Sequence, residues 1–350
     1  MNDITKKLKE YFLTMTDKEG RYKDPNTGLF RPRSACEIIK SLDFPKKTEK
    51  TMKWILKSQN PNGSWNEIHP DLDEESCVET AVVGDMISEL YFKIKSNLLR
   101  TNILKAGNYI LSKEFSPGYF IKSYRHYADV LNVNATCASF LYKLYLITKN
   151  KKYLEARDRA IFNVVRYQFK DGAYPYSSET RTFPYEWGLD VKDIHYHALT
   201  LYFLLKSDPE LKNRYLKISA EKAVKWLAES LSKDSFKWEK SNLIFSIGVT
   251  GAYGYAAYCF NKMKFRNEFE TCIRILRKIQ NDDGSFNRFH KGSFSQSTKN
   301  ILSEITNDEF TFRQKLVRMK RKFKRNFIER NKIVKDLYYT SQIFECLSSI

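Results

Sequence analysis

The chain has 350 residues and a formal net charge of +19, with 42% hydrophobic and 29% charged residues. This composition predicts a globular fold with a sizeable core, and it excludes a membrane-spanning helix because no window of about 18 residues is free of charge. Its 13 glycines and 9 prolines are too few for the many tight turns of a β-sandwich or barrel.

The N-terminus and the cysteines indicate the compartment. The first residues, MNDITKKLKEYFLTMT, mix charge into every turn and so differ from a secretory signal peptide. The six cysteines are scattered and form no C-x-x-C pair, which predicts buried thiols in a reducing environment. We therefore expect a cytoplasmic protein with no metal and no cofactor, and peripheral contact with the inner membrane face is a further expectation.

A seven-residue turn pattern recurs along the chain. It is found at residues 59–65 (QNPNGSW), 168–174 (QFKDGAY) and 280–286 (QNDDGSF). Each copy ends an amphipathic helical run with Gln, polar residues, Gly, a small residue and an aromatic residue. Glycine suits the end of a helix because it adopts the left-handed conformation without a clash. The pattern therefore predicts a series of helix–turn units.

Weaker copies near Gly28, Gly118 and Phe236 extend this series to six units. A second helix that opens with small residues follows each turn, and small residues let helices crowd around a narrow axis. We predict an all-α fold, a single (α/α)6 toroid of six helical hairpins over residues 1–350. The N-termini of the second helices would converge on one end of a central cavity. The alternative is an open helical solenoid, although solenoid repeats are usually shorter and more uniform.

The turn pattern resembles the Q-x-x-D-G-S-W repeat of terpenoid cyclases and protein prenyltransferase β-subunits, which share the α/α toroid. Similar turns occur in toroidal enzymes that act on carbohydrate, including polysaccharide lyases, epimerases and glycosidases. The resemblance covers nearly the whole chain as a period and is specific over roughly seven residues per copy. It implies the fold and leaves the reaction open.

The chemical motifs of the first two families are incomplete in this chain. Residues 193–197 (DIHYH) resemble part of the prenyltransferase zinc site, but no Asp-x-Cys sequence accompanies them. Residues 71–74 (DLDE) are the nearest match to the acidic D-x-D-D motif of triterpene cyclases, with Glu in the last position. The favoured interpretation of this second stretch is a cap, in which Asp73 begins the helix that follows.

Catalytic groups are expected where the second helices begin, because a toroid brings these positions to the cavity mouth. The candidates there are Glu79, Asp193, His195, His197 and Tyr339. Histidine is the natural general base near neutral pH, and Asp193 and His197 share a helix face on which they could pair. The two histidines are two residues apart, so only one should reach the cavity. The alternative is that either histidine is a hydrogen-bonded packing residue.

A second set of residues at the mouth suits substrate binding. Its members are Asn132, Asn134, Arg125, Tyr174, Tyr185, Trp187 and Tyr253. The resemblance to toroidal lyases implies that Asn neutralises a uronic carboxylate, and aromatic faces stack on the apolar faces of sugar rings. The alternatives are that one Asn caps a helix and that the aromatic loop at 173–192 only packs on the rim.

Three functions remain open. The first is a carbohydrate-active toroid that binds or acts on an anionic or lipid-linked glycan in surface polysaccharide metabolism, by a lyase-, epimerase- or hydrolase-like reaction. The second is a terpenoid cyclase or prenyltransferase-like protein acting on an isoprenoid, and the third is a non-catalytic toroid that binds a polyanion or a partner. An acidic membrane surface is a further expected partner, whereas nucleic acid is not expected because no nucleic-acid-binding fold surrounds the basic residues.

The expected membrane contact is a basic amphipathic helical insert at residues 313–335, which hold eleven Lys or Arg and one acid. Leu316, Met319, Phe323 and Phe327 would form its apolar stripe.

Each cation near an acidic membrane contributes about 1 kcal/mol, and salt screens this attraction. We expect the chain to sediment with acidic liposomes at low salt and to be released at high salt. Changing Lys320, Arg321, Lys322, Lys324 and Arg325 to Gln should abolish sedimentation, and unchanged sedimentation would show that the helix is only a solvated face.

Overall fold

The computed structural model describes residues 1–44, 48–124, 128–178, 191–241, 247–290 and 334–350. These parts of the chain contain twelve α-helices and two short β-hairpins. The helices are α1 Asn2–Thr14, α2 Pro32–Ser41, α3 Glu49–Lys57, α4 Cys77–Ile94, α5 Asn97–Ser112, α6 Leu131–Thr148, α7 Lys151–Arg166, α8 Ile194–Ser207, α9 Arg214–Glu229, α10 Gly251–Lys262, α11 Arg266–Ile279 and α12 Leu337–Ser348. The strands are β1 Trp65–His69, β2 Leu72–Ser76, β3 Glu114–Ser116 and β4 Tyr119–Phe120. None of these helices is both long and apolar enough to cross a membrane.

The even-numbered helices form a closed inner ring. Each contacts the next, from α2 through α4, α6, α8 and α10 to α12, and α12 returns to contact α2. The odd-numbered helices pack outside: α3 lies against α2, the later ones follow in the same order, and α1 lies against α12. The two ends of the chain therefore close the ring together. This arrangement confirms the predicted α/α toroid and excludes the open solenoid.

The two classes of helix differ in burial, as their sequences require. Helix α4 buries 13 of its 18 residues, whereas α1 buries only Ile4, Leu8 and Phe12. A helix with a single apolar stripe lies at a surface, and a helix that is apolar all round lies inside. The inner helices therefore bury polar side chains as well, some towards the axis and others towards the turns and the outer helices.

The recurrent turns join successive outer helices. In each copy the glutamine side chain donates two hydrogen bonds, one to the glycine carbonyl of its own turn and one to a carbonyl of the next outer helix. The pairs are Gln59 with Gly63 and Asn102 (2.9 and 3.0 Å), Gln168 with Gly172 and Ser219 (2.9 and 2.9 Å), and Gln280 with Gly284 and Ile4 (3.0 and 3.2 Å). The third copy reaches back to α1, so the same contact that spaces the helices also closes the ring.

A β-hairpin that the sequence did not predict stands before α4. Strands β1 and β2 pair antiparallel, with Trp65 opposite Ser76 and His69 opposite Leu72. Asp73 lies on β2, where its carboxylate accepts a hydrogen bond from the Asn66 amide at 2.8 Å. Since α4 begins only at Cys77, Asp73 is too far from the helix to cap it. The predicted capping role is therefore wrong.

Buried ion pairs fill the axis at the C-terminal end of the inner helices. Lys206 of α8 lies 2.8 Å from Asp85 of α4 and 3.5 Å from Glu345 of α12, and Lys40 of α2 lies 2.7 Å from Glu345. Tyr202 donates a further hydrogen bond to Glu345. Burial opposes ionisation of Glu345, but Lys40 and Lys206 hold its pKa well below the usual range. These side chains link the inner helices across the axis.

The ring closure at Gly284 can be tested with a matched pair of glycines. Gly284 has φ +90°, and a Cβ there would lie 2.4 Å from the Lys7 carbonyl oxygen. Gly28 has φ +73°, but its Cβ would meet only the Lys23 side chain at 3.6 Å. We expect Gly28→Ala to lower the free energy of unfolding by about 1 kcal/mol, the cost of the left-handed backbone, and Gly284→Ala by more than about 2 kcal/mol. Urea denaturation would measure both, and equal losses would contradict a tight contact between the turn and α1.

Candidate functional site

An arginine on the axis joins three inner helices near their N-termini. Arg33 of α2 is 1% exposed, and it donates to Glu37 at 2.9 Å, to Glu79 at 3.2 Å and to the Tyr255 hydroxyl at 3.3 Å. Burial raises the pKa of Glu37 to about 7, against the opposing charge of Arg33. Burial likewise raises the pKa of Glu79, with Arg33 opposing it. The site therefore holds two carboxyl groups that retain protons more readily than exposed ones.

Aromatic rings form a continuous arc above this arginine. Tyr176 packs edge-on against Tyr196 at 4.7 Å between ring centroids, and Tyr196 packs against His195 at 5.1 Å. His195 meets Tyr339 at 5.7 Å, and Tyr339 meets Tyr338 at 5.4 Å. The four tyrosines are partly exposed. We call these five residues the aromatic arc. Four of them stand in the first turns of α8 and α12, at the N-terminal end of the inner ring, which we call the mouth.

A histidine and a carboxylate from the β1–β2 hairpin extend the arc. His69 lies 6.0 Å from Tyr338 between ring centroids, and its Nε2 lies 3.2 Å from Glu67. Burial opposes ionisation of Glu67, but Lys122 at 2.9 Å and His69 hold its pKa well below the usual range. Because Glu67 is then an acceptor, it orients the tautomer of His69 in which Nε2–H donates to it and Nδ1 is the acceptor of the ring. This pairing suits proton transfer at a partly exposed site.

Three of the candidate catalytic residues lie together at the mouth, namely Glu79, His195 and Tyr339. His195 is 4% exposed, and burial lowers its pKa to about 3, so its imidazole is neutral at physiological pH. Burial raises the pKa of Tyr339, whose side chain is hydrogen-bonded with Arg288. Both groups are therefore suited to hydrogen bonding in their uncharged forms.

Four other candidates lie where the turns and the outer helices meet the inner ring. The backbone N–H of the aromatic residue in each turn donates to a side chain near the start of the next inner helix. The acceptors are Thr80 (from Trp65, 2.9 Å), Asn134 (from Phe120, 2.9 Å), His197 (from Tyr174, 3.0 Å), Tyr253 (from Phe236, 3.4 Å) and Thr340 (from Phe286, 3.1 Å). Tyr174 itself is buried, with its hydroxyl 2.7 Å from Ser219. The structure thus does not place Asn134, Tyr174, His197 and Tyr253 on the aromatic arc, because they hold the turns to the ring.

The spacing of Asp193 and His197 suggested that their side chains pair. The hydrogen bonds of His197 go to other residues instead. Asp193 is the N-cap of α8, where its carboxylate accepts from the Tyr196 N–H at 2.8 Å. Both ring nitrogens of His197 are engaged elsewhere, Nδ1 with the Tyr174 N–H and Nε2 with the Ala223 carbonyl at 3.0 Å. His197 therefore has the contacts of a hydrogen-bonded packing residue, which was the alternative to a catalytic role.

The remaining predicted residues divide between the mouth and the parts of the chain that are not described. Asn132 is the second residue of α6 and 7% exposed, two residues before Asn134, just as His195 stands two residues before His197. Arg125, Tyr185, Trp187 and the basic residues of 313–333 lie outside the described residues.

Sequence reasoning placed Tyr338 beside Tyr339 at the start of the last inner helix, but it missed Arg33, Glu67 and His69 as members of the same site. Arg33 opens the inner helix of the first unit, and aligning that unit with the other five would have placed it at the mouth. Glu67 and His69 had no signal of this kind, because only the unforeseen β1–β2 pairing brings them beside Tyr338.

Comparison with known proteins shows the fold. No family model and no curated relative matches the chain. The GH76A α-1,6-mannanase from Salegentibacter is similar at a TM-score of 0.66 and 10% identity, over 99% of this chain and 98% of that one. An unsaturated glucuronyl hydrolase specific for heparin is similar at 0.68 and 10%, over 99% and 95%. A type II terpene cyclase from Scytonema, in complex with geranylgeranyl dihydroxybenzoate, is similar at 0.61 and 14%, over 99% and 96%. The chain thus has the α/α-toroid fold that these enzymes share.

The structural contacts of His197 predict a pH dependence of stability. Burial lowers the pKa of His197 to about 4. Because the folded state then binds fewer protons than the unfolded state, the stability contributed by His197 is complete above a pH of about 6.5 and is lost as the pH falls towards 4. Between pH 7 and pH 5, the free energy of unfolding of the wild type should fall by about 2 kcal/mol more than that of His197→Gln. Urea denaturation at the two pH values would measure this difference. An identical loss in both proteins would show that His197 takes up its proton at the same pH in the folded and the unfolded chain.

Proposed function

We propose that the chain is a carbohydrate-active toroid that binds a glycan at the aromatic arc and acts on it there. The observation that carries this proposal is the aromatic arc itself, a line of partly exposed tyrosines above the buried Arg33–Glu79 pair. Tyrosine offers an apolar face and a polar hydroxyl, and a sugar ring offers an apolar face and polar hydroxyls. The mannanase and the glucuronyl hydrolase that share the fold support the same conclusion.

The chemistry beneath the arc favours a glycan over an isoprenoid. The Arg33 guanidinium lies 5.0 Å from the centre of the Tyr338 ring and is fixed by two carboxyl groups. An isoprenoid has no groups that could hydrogen-bond with these buried polar side chains, so it would leave them without compensation for the water they lose. The hydroxyls of a sugar instead require hydrogen-bonding groups of the kind found here.

The proposed reaction is proton transfer to and from the glycan. Glu79, whose pKa is raised by burial, supplies the acid, and His69, oriented by Glu67, supplies the base. Tyr339 and His195 hold hydroxyl groups of the sugar, and Arg288 beside Tyr339 pairs with a carboxylate of an anionic glycan. Paired acid and base groups of this type serve lyase-, epimerase- and hydrolase-like reactions.

The biological setting is part of the same proposal. The substrate would be an anionic or lipid-linked saccharide of surface polysaccharide metabolism, which the net charge of +19 would attract. A cytoplasmic location at the inner membrane face would bring a lipid-linked glycan to the mouth of the ring. The third alternative, a polyanion-binding toroid without catalysis, would use the basic surface and not the aromatic arc.

A binding assay with a matched control tests the site. We expect Tyr338→Leu to weaken binding of acidic oligosaccharides at least tenfold, because one stacking face is lost, with little change in thermal stability. Tyr215→Leu is the control, since Tyr215 is 69% exposed on the outer helix α9. Isothermal titration calorimetry against uronate-containing and neutral oligosaccharides would measure the affinities. Equal affinities for the wild type and Tyr338→Leu would contradict the proposal and favour the polyanion-binding alternative.

Catalysis is tested separately at Glu79. Replacement of Glu79 by Gln keeps the shape of the side chain and removes its acidic proton, so we expect turnover of any bound oligosaccharide to fall by a factor of at least about 100 while binding persists. Chromatography of the products would measure turnover. Normal turnover by Glu79→Gln would show that the acid lies elsewhere.

A further inference from the structure

A buried carboxamide lies one helical turn below the aromatic arc. Gln342 follows Tyr338 by four residues on α12, so both side chains are on the helix face that looks towards the axis. Gln342 is 1% exposed, and neither its oxygen nor its nitrogen has a hydrogen-bond partner among the described residues. Nδ1 of His195 has no such partner either. Buried polar atoms of this kind cost free energy, so their retention calls for an explanation.

The two side chains converge on a position without a side chain. Gly251 is the first residue of α10, and a Cβ there would lie 3.0 Å from Oε1 of Gln342 and 3.5 Å from Cε1 of His195. The same Cβ would lie 2.7 Å from the Tyr339 ring. The φ angle of Gly251 is not positive, so backbone conformation does not demand glycine here. Glycine instead leaves room for the three side chains that meet beneath the arc.

The groups at this point are hydrogen-bonding and uncharged. The amide of Gln342 both donates and accepts, and the neutral imidazole of His195 has one nitrogen of each kind. A sugar hydroxyl also donates and accepts, so it can satisfy both partners at once. A charged group would have to lose its hydration against neutral partners, with Arg33 already occupied by Glu37 and Glu79.

We propose that Gln342 and Nδ1 of His195, on either side of Gly251, form a subsite for the hydroxyl groups of a neutral sugar unit. This inference rests on the proposed function and adds a specificity determinant to it. The ligand would place an uncharged, hydroxyl-bearing ring edge at the floor of the mouth while its faces stack on the aromatic arc. An acidic unit of the same glycan would then lie at a neighbouring position, towards Arg288.

The test uses the opposite effects of two glutamines. Gln342→Leu keeps the approximate volume and removes two unsatisfied polar atoms, so we expect the melting temperature to stay level or rise. The same change should weaken binding of a neutral methyl glycoside at least tenfold. Gln59→Leu is the control: its amide donates to two backbone carbonyls at 2.9 and 3.0 Å, so its loss should lower the melting temperature and leave binding unchanged. Gln342→Met, which is unbranched, repeats the test if the Leu variant does not fold.

The probes are the methyl glycosides of mannose, glucose, galactose and glucuronic acid, with affinities from ligand-detected NMR titrations on the full chain. Loss of neutral-sugar binding in Gln342→Leu without loss of stability supports the subsite. Unchanged binding by Gln342→Leu, or wild-type binding of the glucuronide alone, overturns the subsite and leaves the proposed function standing. Failure of the wild type to bind any of these glycosides or longer oligosaccharides overturns both.

Discussion

The contact between each glutamine–glycine turn and the next outer helix is the constraint on which the rest of this structure depends. The turn cannot move away from the ring, because its glutamine is bonded to two carbonyls and its glycine packs directly on the neighbouring backbone. The inner helix that follows must therefore begin at a fixed height. The last of these contacts links the turn after α11 to α1, and the chain becomes a closed ring with all inner N-termini at one end. The proposed site lies at that end.

Charged side chains lie along the axis of the ring, and they determine which kind of molecule the axis suits. At the C-terminal end, Lys40, Lys206, Asp85 and Glu345 form a buried, mutually compensated set of charges. Nearer the mouth, Arg33 is compensated by Glu37 and Glu79. Burying a charge costs free energy unless the charge is paired. Removing one partner would therefore leave the other buried and uncompensated, which would destabilise the fold. The axis is thus unsuited to an apolar molecule, and the aromatic arc above it is the partly exposed surface on which we propose that a glycan binds.

The sequence predicts the ring well because the ring depends on local signals that repeat. Glycine at 63, 172 and 284 marks each turn, and the helical periodicity before each turn marks an outer helix. The sequence does not predict in the same way which side chain faces the axis, because residues two apart on a helix face different neighbours. His195 faces the axis and His197 faces α9, and their sequence spacing alone could not order them. Comparing the fourth residue of each inner helix would have helped, since Thr80, Asn134, His197 and Thr340 all receive a turn N–H.

The central claim is that a glycan lies on the aromatic arc, and the most direct measurement is a crystal structure of the full chain with a bound oligosaccharide containing both uronate and neutral units. The account predicts a sugar ring in contact with Tyr338 and Tyr339, with a neutral ring edge within hydrogen-bond distance of Gln342. A sugar bound only on the outer helices, with the mouth of the ring unoccupied, would contradict it.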